Sequence, residues 1–195
     1  MQLEYYYIIN PLLETINESG DLIFIKETDN ELYFGIIDAL GHGAEAYEVA
    51  KLALEYLKQN CTTDPASDIM QVHLLLQQTR GAVIGLCTLN KKNCELKTCG
   101  VGNITTRVLG SDSKKIFYRD GIAGYSLPSM TNQIIQIYTG DIILLYSDGV
   151  KENFDLIEVP DITRKSSEDI SKILMNNYSK KNDDASILTV KVKYD

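Results

Sequence analysis

Four aspartates stand at the boundaries of short apolar segments, and their placement constrains the fold more than any other feature of the chain. Asp21 and Asp183 precede such segments, whereas Asp38 and Asp148 follow them and lead into glycine-containing turns. Short apolar segments bounded by turn residues are typical of buried strands. Each carboxylate is therefore predicted to lie at the end of a buried strand, beside a loop, where the strand fixes its position.

Carboxylates gathered in this way suit one kind of chemistry. Their oxygens bind hard divalent cations, and a pair of such ions can activate a water molecule for attack on phosphorus. Zinc and copper sites usually include histidine or cysteine, and this chain has only two histidines. Taken one at a time, aspartates beside glycine are also common as ordinary turn residues. The prediction of a Mg²⁺ or Mn²⁺ site therefore depends on the joint pattern.

The order of the motifs resembles a known family along nearly the whole chain. The motifs are Ser19-Gly20-Asp21, Asp38-Ala39-Leu40-Gly41-His42-Gly43, Arg80-Gly81-Ala82, Gly100-Val101-Gly102-Asn103, Gly140-Asp141-Ile142-Ile143-Leu144-Leu145-Tyr146-Ser147-Asp148-Gly149 and Asp183-Asp184-Ala185-Ser186. Each motif is weak alone. Together they resemble the metal-dependent protein serine/threonine phosphatases, the PPM family, and within it the short bacterial SpoIIE-like branch that includes stand-alone phosphatases of the stressosome.

The resemblance implies a site for two Mn²⁺ or Mg²⁺ ions. Asp38 would bridge the ions, and Asp148 and Asp183 would be further ligands of the first ion. The second ion would bind the backbone carbonyl of Ala39, with Asp21 nearby as a direct or water-mediated ligand. A water between the ions would be the nucleophile, so Asp38, Asp148 and Asp183 would be catalytic through this metal-activated water.

Two positions depart from the family pattern. The usual glycine after the bridging aspartate is Ala39 here. A backbone carbonyl at Ala39 can still bind metal, provided that the position does not require a positive φ. The second departure is Asn103, which stands where many eukaryotic relatives carry an aspartate associated with a third ion. We therefore expect two metal positions and no third.

The apolar patterns predict ten strands and three helices. The strands are expected at residues 3–9, 22–26, 32–38, 82–89, 95–99, 105–109, 115–118, 134–138, 142–146 and 185–192. The helices are expected at 44–57, from a cap at Ser67 or Asp68 onward, and from Ser167, which opens the last helix, to about 177. Runs of strands interrupted by helices indicate an α+β fold.

The family resemblance makes the predicted fold more specific. It implies a four-layer αββα sandwich, in which two antiparallel sheets are flanked by helices and the metals lie at one edge. A chain of 195 residues fits a single domain of this kind, spanning residues 1–195.

Composition excludes several classes of protein. The formal net charge is −8, and no lysine or arginine run is present, so a nucleic-acid partner is not expected. No apolar segment approaches the roughly 20 residues that cross a bilayer, and the N-terminus lacks the basic start of a signal peptide. We expect a cytoplasmic monomer.

The four cysteines indicate neither a metal site nor a redox pair. Cys61, Cys87, Cys94 and Cys99 show no Cys-x-x-Cys spacing, which zinc and thiol–disulfide motifs commonly use. No cysteine is followed six positions later by arginine, the spacing of cysteine-dependent phosphatases. The main competing phosphatase chemistry is therefore excluded.

Two residues and one segment can each be interpreted in two ways. His42, beside the predicted metals, could assist proton transfer or could only stabilise its loop. Arg80 could contact phosphate or could interact with a helix dipole, and we do not assign it a catalytic role. The turn-rich segment 119–128 could be a substrate-facing flap or an ordinary connection between strands.

The sequence thus predicts a protein-serine/threonine phosphatase whose partners are phosphorylated regulatory proteins. The resemblance implies stressosome or sigma-factor pathway components as substrates, and this part rests on analogy alone. Two alternatives stay open. One is a catalytically weak or inactive module with the same fold that binds a signalling partner, and the other is a small-molecule phosphomonoesterase.

Overall fold

Ten strands and three α-helices form in the described part of the chain, which comprises residues 2–13, 15–110, 112–151, 154 and 161–193 of a computed structural model. The strands are β1 (Gln2–Asn10), β2 (Asp21–Glu27), β3 (Glu31–Ala39), β4 (Ala82–Asn90), β5 (Glu95–Val101), β6 (Thr105–Leu109), β7 (Lys114–Phe117), β8 (Gln133–Gln136), β9 (Ile142–Tyr146) and β10 (Ala185–Lys193). The helices are α1 (Ala44–Asn60), α2 (Pro65–Leu75) and α3 (Ser167–Tyr178).

The strands form two five-stranded sheets. The first sheet has the order β1-β10-β9-β6-β7, and the second has the order β2-β3-β4-β5-β8. Neighbouring strands are antiparallel in both sheets. The helices cover the outer faces, with α1 and α2 on the second sheet and α3 on β1 and β10 of the first. The predicted α+β sandwich of four layers is therefore confirmed.

The central strands have continuous apolar runs because both of their faces are buried. Between the sheets, Phe34 and Ile36 of the second sheet belong to the same core cluster as Leu145 and Val190 of the first. A second cluster lies under α1 and α2, and a third lies under α3. Strands covered on both faces lose the alternating pattern of a solvent-facing sheet. This is why the sequence shows short apolar runs rather than alternation.

The element ends differ from the prediction by a few residues, and the cap of α2 is a different residue from those predicted. The N-cap of α2 is Asp64, whose side chain accepts a hydrogen bond from Ser67 N, with Pro65 as the next residue. Asp68 is buried instead and accepts a hydrogen bond of 2.7 Å from the Tyr33 hydroxyl. The last helix begins at Ser167, as predicted, and its N-cap is Ser166. The predicted cap of α2 at Ser67 or Asp68 is wrong by three or four positions.

Candidate metal centre

The second sheet brings two of the predicted aspartates together. Asp21 is the first residue of β2, and Asp38 is the last but one residue of β3. The antiparallel register places Asp21 directly opposite Asp38. Directly opposite residues of an antiparallel pair have Cβ atoms roughly 4.5–5.5 Å apart, so these two carboxylates share one end of the sheet.

The first sheet contributes the other two aspartates. Asp148 comes two residues after the end of β9, and Asp183 comes two residues before the start of β10. Because β9 and β10 are antiparallel neighbours, with Tyr146 opposite Ile187, the end of one strand lies beside the start of the other. Asp148 and Asp183 therefore meet at the same edge of the sandwich as Asp21 and Asp38.

Three of the four carboxylates face one open pocket. Asp38, Asp148 and Asp183 line a pocket of about 160 Å³, and its other lining residues are Leu40, Gly41, Val83 and Asn103. Asp21 and Ala39 do not line this pocket, and Asp21 is only 1% exposed. The structure thus separates the predicted ligands into three pocket carboxylates and one buried carboxylate beneath them.

Ser147 joins the two sheets below the pocket. Its hydroxyl donates a hydrogen bond of 2.6 Å to Oδ2 of Asp21 and accepts one of 3.0 Å from Ser186 N. Ser147 lies in the first sheet's half of the site, whereas Asp21 belongs to the second sheet. The hydroxyl therefore fixes the orientation of the Asp21 carboxylate across the interface. Sequence reasoning missed this residue, although its position directly before Asp148 was a usable signal.

Asp184 makes a second connection between the sheets. Its Oδ1 accepts a hydrogen bond of 2.7 Å from Leu12 N, and its Oδ2 accepts one of 2.8 Å from Gly20 N. Asp184 is 5% exposed, and it directly follows the pocket residue Asp183. Both carboxylate oxygens are therefore used to hold the segment that leads into Asp21. The sequence predicts Asp184 as a supporting residue, but it does not identify the groups that Asp184 binds.

In the absence of a cation, burial and mutual repulsion raise the free energy of ionising these carboxyl groups. Desolvation raises the pKa of Asp38 well above its ordinary value, and the charges of Asp21 and Asp148 raise it further. Desolvation likewise raises the pKa of Asp21 to about 7, although the hydrogen bond from Ser147 opposes this change. Desolvation and then Asp148 raise the pKa of Asp183. A nearby cation would reverse these shifts.

Asn103 contacts one of the pocket carboxylates with a neutral group. Its Nδ2 donates a hydrogen bond of 2.7 Å to Oδ2 of Asp148. The bond orients that carboxylate without adding another negative charge to the cluster. An aspartate at this position would instead place a further carboxylate against Asp148.

The donor types fit a hard divalent cation. The pocket offers carboxylate, amide and backbone oxygens and no basic side chain, which is the chemistry that Mg²⁺ and Mn²⁺ prefer. In the ranges given above, no three acidic, histidine or cysteine side chains already converge closely enough to hold one ion. The site is therefore suited to a cation by composition and charge, while the arrangement of its side chains is not that of a closed metal cage.

The position of Ala39 does not require the backbone conformational freedom of glycine. It lies at the end of β3, and it is absent from the described non-glycine residues with positive φ, which are Thr63, Gln78, Cys94 and Asp161. The condition for a metal-binding carbonyl at Ala39 is therefore met. Gly20 is the constrained position instead, because a Cβ there would lie 2.7 Å from Ala39 O and 2.8 Å from Gly41 O.

Arg80 and His42, the two residues with open interpretations, both lie at or near the loop between β3 and α1. The Arg80 guanidinium donates a hydrogen bond of 3.0 Å to Leu40 O and forms an ion pair with Glu45. These contacts hold the loop between β3 and α1 at the rim of the pocket. His42, in the same loop, is exposed and does not line the pocket.

The segment 119–128 runs beside the pocket and is attached to its wall. Ala123 forms an isolated β-bridge with Ala82, next to the pocket residue Val83. Gly124 packs closely against Leu76 at the end of α2. Tyr125, at the tip, is 84% exposed. The segment is thus a connection between β7 and β8 that is anchored at its base and presents one aromatic side chain to solvent.

Comparisons with known proteins point to one family. A family model described as Stage II sporulation protein E (SpoIIE) matches residues 28–193. Phosphoserine phosphatase RsbX of Bacillus subtilis (strain 168) is 27% identical over 197 residues, covering 94% of this chain and 95% of RsbX.

Solved structures share the fold at low sequence identity. A chain from work on the bacterial stressosome has a TM-score of 0.89 at 24% identity and covers 98% of this chain and 100% of that chain. RsbX in complex with magnesium has a TM-score of 0.79 at 22% identity and covers 97% of this chain and 96% of the RsbX chain. The PP2C phosphatase domain of SpoIIE from Bacillus subtilis has a TM-score of 0.79 at 16% identity and covers 98% of this chain and 64% of the SpoIIE chain. These likenesses confirm the predicted fold.

No helix in the described ranges is both long enough and apolar enough to cross a bilayer.

Proposed function

Because the chain belongs to the SpoIIE family of PP2C-fold phosphatases, we propose that it is a metal-dependent protein serine/threonine phosphatase. It hydrolyses phosphoserine or phosphothreonine on regulatory proteins and comprises one phosphatase domain over residues 1–195. One observation carries the proposal: Asp38 from one sheet and Asp148 and Asp183 from the other line the same open, polar pocket. Clustered carboxylates with raised pKa values are characteristic of functional sites.

The pocket carboxylates are the proposed metal ligands. Asp38, Asp148 and Asp183 would hold one Mn²⁺ or Mg²⁺ ion, and Asp38 would share a second ion with the Ala39 carbonyl and Asp21. When bound, such a pair of ions lowers the pKa of a water and screens the charge of a phosphoryl group. The magnesium complex of RsbX supports the choice of a divalent ion.

The chain's own residues orient the ligands and leave the substrate side open. Asn103 holds Asp148, and Ser147 holds Asp21. The pocket is shallow and faces solvent, which suits a phosphorylated side chain presented by a folded partner more than an enclosed small molecule. In a chain with a formal net charge of −8, bound cations would supply much of the attraction for the phosphoryl group.

The proposed partners are phosphorylated regulatory proteins of a stressosome or sigma-factor pathway. RsbX is a phosphoserine phosphatase, and a stressosome-related chain shares the fold over 98% of this chain. We further propose that the protein acts in the cytoplasm as a monomer and binds neither nucleic acid nor membrane.

Release of phosphate from an aryl phosphate, measured with Mn²⁺, with Mg²⁺ and with chelator, tests the proposed function. We expect metal-dependent turnover that Asp38→Asn lowers by at least about 100-fold, because even outer partners of metal ligands contribute about 10–100-fold. Calorimetric titration with Mn²⁺ should show weaker binding to the same variant. Asp29→Asn is the matched control, because Asp29 is an exposed aspartate in the turn between β2 and β3. Its turnover and its Mn²⁺ affinity should equal those of the unmodified protein.

Two outcomes would contradict the proposal. A folded protein that releases no phosphate with either ion would favour the non-catalytic module that binds a signalling partner. Full turnover by Asp38→Asn would place the catalytic centre elsewhere.

A further inference from the structure

A second pocket lies between the edge strands of the two sheets. It has a volume of about 160 Å³, and the lining residues that matter here are Gly100, Phe117, Arg119, Pro128, Met130 and Gln133. We call it the edge groove. Phe117 and Arg119 stand at and just after the end of β7, whereas Gln133 begins β8. The groove is therefore formed where the two sheets of the sandwich end side by side.

Among the strands that the structure describes, both strands beside the edge groove lack a partner on their outer edge. β7 is the last strand of the first sheet, and β8 is the last strand of the second. An exposed strand edge presents free backbone N–H and C=O groups, to which an extended peptide can add by hydrogen bonding. The edge groove thus has the backbone chemistry to bind a polypeptide segment.

An exposed aromatic side chain lines the same groove. Phe117 is 60% exposed. The Lys115 ammonium lies 4.5 Å from the centroid of the Phe117 ring, which adds positive charge beside the aromatic surface. An apolar surface with cations suits a peptide that combines apolar and acidic side chains.

Arg119 gives the groove its charge preference. Its side chain is exposed, and within the part of the chain that the structure describes it has neither an ion pair nor a side-chain hydrogen bond. Acidic residues outnumber basic ones by 27 to 19, so an arginine without a carboxylate partner is notable. A guanidinium binds carboxylates in a planar, two-point geometry. Arg119 is thus complementary to an acidic side chain of a partner.

The edge groove and the acidic pocket of the metal centre are lined by residues close together along the chain. Gly100 lines the groove and Asn103 lines the pocket, three residues further on. Arg119 O also accepts a hydrogen bond of 2.9 Å from Gly102 N. Three residues span at most about 10 Å. A peptide with its phosphorylated residue in the pocket would therefore reach Arg119 with a side chain two to four positions away.

We propose that the edge groove binds the polypeptide segment that flanks the phosphorylated residue of a protein substrate, with Arg119 pairing with an acidic side chain of that segment. This inference rests on the proposed phosphatase function and extends it to a substrate class, namely phosphoproteins with acidic residues near the phosphorylated position. Phe117 contributes apolar contact, and Arg119 contributes specificity.

Steady-state kinetics with synthetic phosphoserine peptides test the proposal. One peptide carries aspartates two to four positions before the phosphoserine, a second carries them after it, and a third carries lysines at both places. We expect one of the acidic peptides to have the lowest KM, and Arg119→Gln to raise that KM about fivefold. A fivefold change corresponds to about 1 kcal/mol, the upper end for an exposed ion pair. Phe117→Ser should raise the same KM without removing the preference for acidic residues.

Arg164→Gln is the matched control, because Arg164 is an exposed arginine beside α3, and it should leave every KM unchanged. Metal-dependent turnover of the aryl phosphate is measured in parallel, and its absence from the unmodified protein would indicate failure of the phosphatase function itself. With that turnover present, equal KM values for acidic and lysine peptides, or no peptide turnover at all, would overturn the groove proposal. So would an Arg119→Gln variant that affects all three peptides alike.

Discussion

At the scale of single residues, two side chains outside the pocket hold its parts in place. Ser147 binds the buried carboxylate of Asp21, and Asp184 binds the backbone of Leu12 and Gly20. Both contacts cross between segments that are far apart in sequence. Partners of this kind fix the orientation of metal ligands, and their mutation typically lowers metal affinity about 10–100-fold.

Asp184→Asn should weaken Mn²⁺ binding about tenfold. The change preserves size but replaces one acceptor oxygen with an NH₂ group that faces a backbone N–H, so one of the two hydrogen bonds to Leu12 and Gly20 is lost. Calorimetric titration with Mn²⁺ measures the affinity. Asp141→Asn is the control, since Asp141 is 2% exposed and also accepts a backbone hydrogen bond, at the opposite end of β9. Equal Mn²⁺ affinity for Asp184→Asn and the unmodified protein would show that Asp184 only stabilises the fold.

At the scale of elements, the strands could be predicted closely but their precise ends could not. The central strands are recognisable because burial on both faces requires continuous apolar runs. The cap of α2 was misassigned because Asp64, Ser67 and Asp68 are all good capping residues. Pro65, at the first helical position, favours Asp64 as the cap, and the tertiary contact of Asp68 with the Tyr33 hydroxyl removes Asp68. For β3, the departure at Ala39 proves compatible with an ordinary strand end.

Ala39→Gly should not increase turnover of the aryl phosphate. Ala39 already has a strand conformation without positive φ, so glycine offers no conformational advantage and instead increases the entropy of the unfolded chain. We expect the free energy of unfolding to fall by about 0.5–1 kcal/mol, measured by urea denaturation. A several-fold gain in turnover would show instead that the alanine restricts the second metal position.

At the scale of the whole molecule, the site lies where two sheets of an acidic protein meet. Asp21 and Asp38 belong to one sheet, whereas Asp148 and Asp183 follow or precede strands of the other. Packing the sheets face to face therefore brings the negative charges together. The hydrophobic core between the sheets stabilises this arrangement, while the charge repulsion opposes it.

In the presence of chelator, the protein should lose stability as the pH rises from about 4 to 7. Burial raises the pKa of Asp21 to about 7 from 3.8, so in this range the folded chain holds a proton that the unfolded chain has released. Stability is then fully present at the acidic end and is lost as the pH rises through about 7. The loss from Asp21 alone is at most about 4 kcal/mol for three pH units. Melting temperatures across this pH range measure it.

Divalent ions should reverse this pH dependence, because a bound cation favours the ionised carboxylates. Melting temperatures with saturating Mn²⁺ should therefore rise rather than fall toward pH 7. Asp21→Asn should reduce the slope seen in chelator. An unchanged slope in that variant would mean that another group is responsible for the pH dependence.

Strand content, the α+β class and the positions of four aspartates at strand ends could all be read from the amino-acid sequence, because they depend on local hydrophobic patterns and turn residues. Tertiary structure decided which aspartates face solvent and which is buried. It also decided that Ser147 and Asp184 join the two sheets, and that Arg119 lies beside the groove with no side-chain partner among the described residues. These features depend on contacts between residues distant along the chain, and local patterns carry no information about such contacts.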